Sequence, residues 1–273
     1  MIQSIPTYDE LFQRNIGILS EEELHTVQTS KIALAGVGGV GGVQLVALAR
    51  TGISHFSIAD PECYQASDVN RQYGASISTL GCKKVEVMNR VVQDINPQAC
   101  VETFPRGITK ANVDQFIQRA DVVIDAIEYF ALDEKILLAQ KTREYSRYLI
   151  TSPSWGYGTS MVVFSPQGVT FEEFFGVDTK EDFLIQGKRL AGRVFPLKPD
   201  YLDPYPYGED MLEGRRPASV LCLGTFLSGA LTAAEVLFIL LGKQPIITAP
   251  KVIQVDLFRR SFDIVDLSHS KAC

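Results

Sequence analysis

The chain is sparing with the residues that most often carry catalysis or cross-links, and it has no surplus of basic charge. Five cysteines in 273 residues are few and odd in number. The closest pair, Cys82 and Cys100, has nothing like a CxxC spacing, so neither a disulfide framework nor a structural zinc is expected. A reducing, cytoplasmic setting is the corresponding expectation. The net charge of −6 gives no general pull toward nucleic acid or an anionic membrane, although a local basic patch remains allowed. His25, His55 and His269 are scattered over a helix, a strand start and the tail, where structural or solvated roles outweigh catalysis. The opening MIQSIPTYDELFQRN has acidic residues and no apolar run, so no ordinary secretory signal is expected. One long apolar run exists, residues 218–242. It contains Glu235 and many small residues, which suits a buried core or interface helix rather than a membrane span.

What is present is an alternation of short apolar runs with helical patterns. KIALAG, SHFSIAD, VETFPRGI, ADVVIDAI, YLITSPS and MVVFSP read as strands. Between them lie helical stretches: VQLVALARTG closed by Gly52, TKANVDQFIQRA with Thr109 as its cap, and a helix over about 131–146. The pattern predicts a doubly wound, Rossmann-like α/β sheet, mostly parallel, with ligand at the carboxyl ends of the strands. We expect one domain over 1–273: a helical lead-in at 8–30 with Ser20 as a cap, a nucleotide-binding core at 31–165, an insertion at 166–216, and a C-terminal helix and hairpin at 217–273. The insertion is rich in Pro, Gly, Tyr and acidic residues and is expected to serve the acceptor.

GVGGVGGVQ, residues 36–44, follows a strand and opens a helix. Gly36, Gly38, Gly39 and Gly41 let backbone amides approach a phosphate at the helix N-terminus. Asp60 ends the next strand, where its carboxylate could accept ribose hydroxyls. Loop and carboxylate suit NAD as well as ATP. The neighbours favour a triphosphate: Asn70, Arg71 and Gln72 come soon after Asp60, then Lys83 and Lys84, and fixed cations stabilise charge building on a departing pyrophosphate.

Taken in order, these motifs resemble the ubiquitin-activating-enzyme-like superfamily of the ThiF/MoeB type. The resemblance rests on Arg14 in FQRNIGI, GVGGVG, Asp60, Asn70-Arg71-Gln72, the segment Gly81 to Glu86 with Lys84, and VVIDAIEYF. It implies an ATP-dependent adenylyltransferase that joins a carboxylate to the α-phosphorus of MgATP and releases pyrophosphate. By the same resemblance Asp60 holds the ribose, Arg71 and Lys84 hold phosphates, and Arg14 reaches the partner's ATP in a homodimer. The implied acceptor is a ubiquitin-like protein, a peptide or a small carboxylate; nucleic acid and membrane are not favoured.

The chain departs from the family pattern in four ways. Glu128 stands where relatives carry the aspartate expected to hold magnesium, with Asp125 as the fallback carboxylate. Asp68 stands where relatives carry Asn. The zinc-binding CxxC pairs are missing, and 166–216 has no cysteine, so thioester transfer is not expected. Cys222 in SVLCLG reads as an inert buried thiol. Trp155 reads as core packing or as a border of the acceptor site, and Arg215 and Arg216 as a surface pair. Three other readings stay open: an NAD-dependent oxidoreductase, a tRNA-modifying relative, and a catalytically inactive ATP-binding partner subunit.

Overall fold

The structure, a computed structural model, describes residues 5–177, 183–199, 201 and 219–269, without the side chains of 183–188. Arg215, Arg216 and part of the expected insertion lie outside the described residues. The lead-in is two helices rather than one: α1 (Tyr8–Phe12) and α2 (Glu21–Thr29). Each is opened by a reciprocal capping box, Thr7 with Glu10 and Ser20 with Glu23. Between them Gly17 sits at φ 103°, a left-handed turn that no continuous helix passes through.

The core then runs β1 (Lys31–Ala35), α3 (Gly39–Thr51), β2 (His55–Ala59), α4 (Lys84–Ile95), β3 (Cys100–Phe104), α5 (Val113–Ile117), β4 (Val122–Asp125), α6 (Leu132–Glu144) and β5 (Tyr148–Thr151). After it come β6 (Ser154–Trp155), β7 (Gly158–Phe164), α7 (Phe171–Phe175), α8 (Phe183–Val194), α9 (Cys222–Leu241), β8 (Lys251–Asp256) and β9 (Ser261–Asp266). The helix expected from Thr109 shortens to α5. The Asn112 side chain accepts from the Thr109 backbone at 2.8 Å, which builds a turn there instead.

The strands form one sheet in the order β3-β2-β1-β4-β5-β7-β8-β9, with β6 pairing β7. Pairing is parallel from β3 to β5 and antiparallel from β5 to β9. The parallel strands β1, β2, β4 and β5 are buried along nearly their whole length, as their apolar runs require, whereas the edge strand β3 is only partly buried. In β1, Ile32 and Leu34 face a core shared with α2, α3, α4 and α9, whereas Ala33 and Ala35 face one shared with α5, α6, α7 and α8. At β1 the neighbours are β2 on one side and β4 on the other, so the chain reverses its winding there. That reversal opens a crevice at the carboxyl ends of these strands.

The apolar run expected to be a buried helix is α9. It has the length and hydropathy of a membrane span, yet its buried Gly224, Thr225, Ser228, Gly229, Thr232 and Ala233 recur at helical spacing. This small-residue face packs against α3 and β7. A Cβ on Gly229 would lie 2.7 Å from Val43 Cγ1. Glu235 is buried on the same helix, and desolvation raises its carboxyl above the ordinary range.

Because α9 and α3 touch at Gly229, Gly229→Leu is expected to overpack the interface. A loss of about 1–3 kcal/mol lowers the melting temperature by several degrees, readable by calorimetry. An unchanged melting temperature would contradict this packing.

Candidate nucleotide site

The crevice is a cavity of about 680 Å³ lined by the glycine loop, Asp60, Arg71, Gln72, Lys84, Glu128 and Trp155. Its floor is set by backbone proximity. Gly36 adopts φ 91°, and a Cβ there would strike the Ala126 carbonyl. A Cβ on Gly41 would strike the Gly36 carbonyl. These two glycines allow strand and helix to close up, and Gly36, Gly38 and Gly39 line the cavity. Gly41 was expected among the nucleotide contacts; it works one layer below, by packing. Since α3 begins at Gly39, its free amides and positive dipole end point at the cavity.

Asp60, 6% exposed, follows the last residue of β2. One carboxylate oxygen accepts from the Val37 amide and the other from the Glu62 amide, both at 2.9 Å. Desolvation raises its carboxyl above the ordinary aspartate range, opposed by the Glu62 amide, by Lys84 and by the Val37 amide.

Arg71 reaches the cavity from the middle of the 61–84 segment and Lys84 from its end. Arg71 donates to the Ser67 carbonyl at 2.8 Å and to Asn70 Oδ1 at 3.0 Å, and lies 3.7 Å from Asp68. Its Nε is 3.8 Å from where a Gly39 Cβ would stand. Lys84 starts α4, is buried, and bonds Glu62 at 2.6 Å while lying over the Tyr64 ring. Both cations therefore rest on local acids. Asp68 accepts from the Gln65 amide at 2.9 Å and from Gln72 Nε2 at 2.6 Å. Asp68 is thus an anchor of the turn that carries Arg71. Asn70 stands outside the cavity lining; it holds Arg71 and donates to the Val220 carbonyl at 3.2 Å.

Glu128 is exposed and lines the cavity. Asp125 does not serve as its substitute. It is 2% exposed, and Lys135 donates to both its oxygens at 3.0 and 2.9 Å. A carboxylate so enclosed and paired has no free lone pair directed at a ligand. Among the described residues no group of three or more His, Cys, Asp or Glu could hold a metal ion. A magnesium ion at this site would lean on phosphate oxygens, with Glu128 able to add a carboxylate.

Trp155 borders the cavity, edge-on to Phe195 at 5.4 Å. Ala191 and Phe195, from the insertion, and Tyr129 complete this apolar wall. Sequence reasoning missed Glu62, Lys135 and Phe195. Glu62 lies beside two motif residues, whereas Lys135 and Phe195 carry no local signal. Arg14 is exposed and lies outside the cavity lining. Its turn is held where Asn15 donates to the Thr51 carbonyl at 3.0 Å, at the C-terminal end of α3. The glycine loop is at the other end, roughly 18 Å away at the helix rise per residue. Cys222, expected to be buried, is exposed: α9 starts there, and Leu221 and Leu223 beside it are exposed as well.

Removing Lys135 alone would strand a buried carboxylate. Lys135→Met is expected to cost about 3–5 kcal/mol in denaturant unfolding, and Lys135→Met with Asp125→Asn much less. Equal losses in single and double variants would contradict the pairing. A raised Asp60 favours the fold while protonated; that contribution is present below the ordinary aspartate value and is lost as pH rises through the raised one. Ribose hydroxyls need the ionised form, so nucleotide affinity should start to fall on acidification at a higher pH than an ordinary aspartate would set. Asp60→Ala should weaken ATP binding by about 10–100-fold and abolish that pH dependence in a calorimetric titration. Undiminished affinity would remove Asp60 from the site.

Known proteins are similar to this chain in sequence and in fold. Over 116 residues, 42% of this chain, the sequence is 38% identical to the tRNA threonylcarbamoyladenosine dehydratase of Bacillus subtilis, of which the match spans 46%. The protein HesA, heterocyst, of Trichormus variabilis is 24% identical over all of this chain and 90% of its own length. The crystal structure of E. coli MccB with ATP superposes with a TM-score of 0.68 at 15% identity, covering 92% of this chain and 68% of that one; at that identity the likeness is one of fold. The ThiF family matches residues 12–273, and the chain belongs to it.

Proposed function

We propose that this protein is an ATP-dependent adenylyltransferase that activates a carboxylate as an acyl-adenylate. The observation that carries the reading is the convergence on one cavity of the glycine loop, the ribose-accepting Asp60, two phosphate cations and an apolar wall next to them. An acceptor carboxylate, already ionised at neutral pH, attacks the α-phosphorus. The bond from that phosphorus to the bridging oxygen breaks, and pyrophosphate leaves with the electron pair. No general base is needed, so positioning and charge stabilisation carry the catalysis. Arg71 and Lys84 exchange Asp68 and Glu62 for phosphate oxygens. A magnesium ion, when bound, would neutralise charge on the triphosphate, with Glu128 the residue that could hold it.

The working form in this reading is a homodimer. Arg14 is too far from its own glycine loop to serve it, and in a two-fold dimer it would instead serve the partner's loop. Leu223, Phe226, Tyr73 and Ile16, all exposed apolar residues, supply a face for that contact. The acceptor we favour is a peptide or ubiquitin-like protein with a free carboxylate, activated in the cytoplasm. The similarity to a tRNA dehydratase supports a second reading, in which tRNA carries the carboxylate.

Pyrophosphate release with ATP, tested against free and amidated peptides and against tRNA, separates the two readings. Arg71→Ala should slow release by about 100-fold or more while ATP still binds. A variant that binds ATP and keeps its rate would end the phosphate role. Mixing Arg14→Ala with Arg71→Ala subunits, each strongly slowed alone, should restore roughly a quarter of the wild-type sites through mixed dimers. A mixture that stays as slow would contradict action across the dimer.

A further inference from the structure

At the end of the sheet remote from the nucleotide cavity lies a second cavity, of about 360 Å³. It is bounded by the C-terminal turn of α6, the start of β5, the end of β7 and the start of α7. Its apolar lining includes the buried Leu149, Phe164 and Phe171, together with Val169. Its volume lies within the range of small-molecule sites. Arg147 also lines it, half-buried. Its Nε is shut off from solvent without a hydrogen-bond partner.

The two carboxylates that line this cavity bond other side chains. Glu144 is bonded by Lys141 at 2.7 Å, and Glu172 by Gln140 Nε2 at 2.7 Å. Arg143, the other cation on the rim, donates to the Gly168 carbonyl at 2.9 Å. The terminal carbonyls of α6 that might have served Arg147 already accept backbone amides: Lys141 from Tyr145, Thr142 from Arg147 itself and Arg143 from Ser146. No carboxylate among the described residues lies within ion-pair distance of Arg147. A partly desolvated cation with no counter-charge destabilises the empty protein. A ligand carboxylate in the cavity would supply the missing counter-charge through a charge-assisted bond.

We propose that this cavity binds a small amphipathic carboxylate, an aromatic or short-acyl acid whose apolar body fills the space between Leu149, Phe164 and Phe171 and whose carboxylate pairs with Arg147. The site is separate from the nucleotide cavity, and the inference stands whether or not the adenylation reading does.

The probe for the test is para-trifluoromethylbenzoate, followed by fluorine NMR with and without saturating ATP. The expected result is saturable binding that ATP leaves unchanged, weakened about tenfold or more by Arg147→Met and much less by Arg147→Lys. Thermal melts supply a second readout. Without probe Arg147→Met should melt above the wild type, because it removes an uncompensated charge, and the probe should raise the melting temperature of the wild type alone. Equal affinity of Arg147→Met and wild type, displacement of the probe by ATP, or absence of saturable binding would each overturn the proposal.

Discussion

The hydrogen bond from the Val37 amide to the Asp60 carboxylate fixes the geometry on which the rest of the site depends. It ties the end of β2 to the turn that leaves β1, and it holds that turn so close to β4 that Gly36 lies against the Ala126 carbonyl. Only glycine tolerates this approach. Once the turn is closed, α3 must start at Gly39 with its free amides directed into the crevice. The reversal of strand order at β1 leaves that crevice open at the carboxyl ends of the strands. One carboxylate therefore shapes the loop and, in the proposed function, also accepts the ribose hydroxyls.

Charge in the site is arranged as a set of exchangeable partners. Lys84 is nearly inaccessible, with 4% of its side chain exposed, whereas its partner Glu62 is 66% exposed. A buried lysine needs a counter-charge at all times, and an exposed glutamate can leave at little cost. A phosphate entering the cavity could replace Glu62 without stranding the lysine. Arg71 is different: Asp68 is locked by the Gln65 amide and by Gln72, so the arginine moves relative to a fixed acid. By contrast Asp125 and Lys135 are buried together and permanently matched. They brace the turn leading to Glu128, since Asp125 also accepts from the Ile127 amide.

Features encoded in contiguous residues were legible in the sequence. The glycine loop, the acidic residue closing the next strand, the Asn-Arg-Gln triplet and the Ser20 cap each declare themselves within a few positions, because the geometry they serve is local. The order of strands and helices through β5 was legible for the same reason, through the hydrophobic period of each segment, whereas the helices α7 and α8 of the insertion were not. Features set by distant packing were not. Lys135 is ten residues from Asp125 and meets it only because α6 folds back on β4. Gly41 looks like a phosphate contact until Gly36 is seen beneath it. Cys222 sits in an apolar run yet is exposed, because the bridge between Gly156 and Val220 fixes where α9 begins. The position of Arg14 at the far end of α3 is equally invisible in a linear pattern.

The claim on which the account turns is that the glycine loop holds a triphosphate and not a dinucleotide, since loop and carboxylate alone suit both. Calorimetric titration of the purified protein with ATP and magnesium, and separately with NAD, tests this directly. ATP should bind saturably and NAD should not bind. Binding of NAD with no binding of ATP would contradict it, and would leave Arg71 and Lys84 without the phosphates assigned to them.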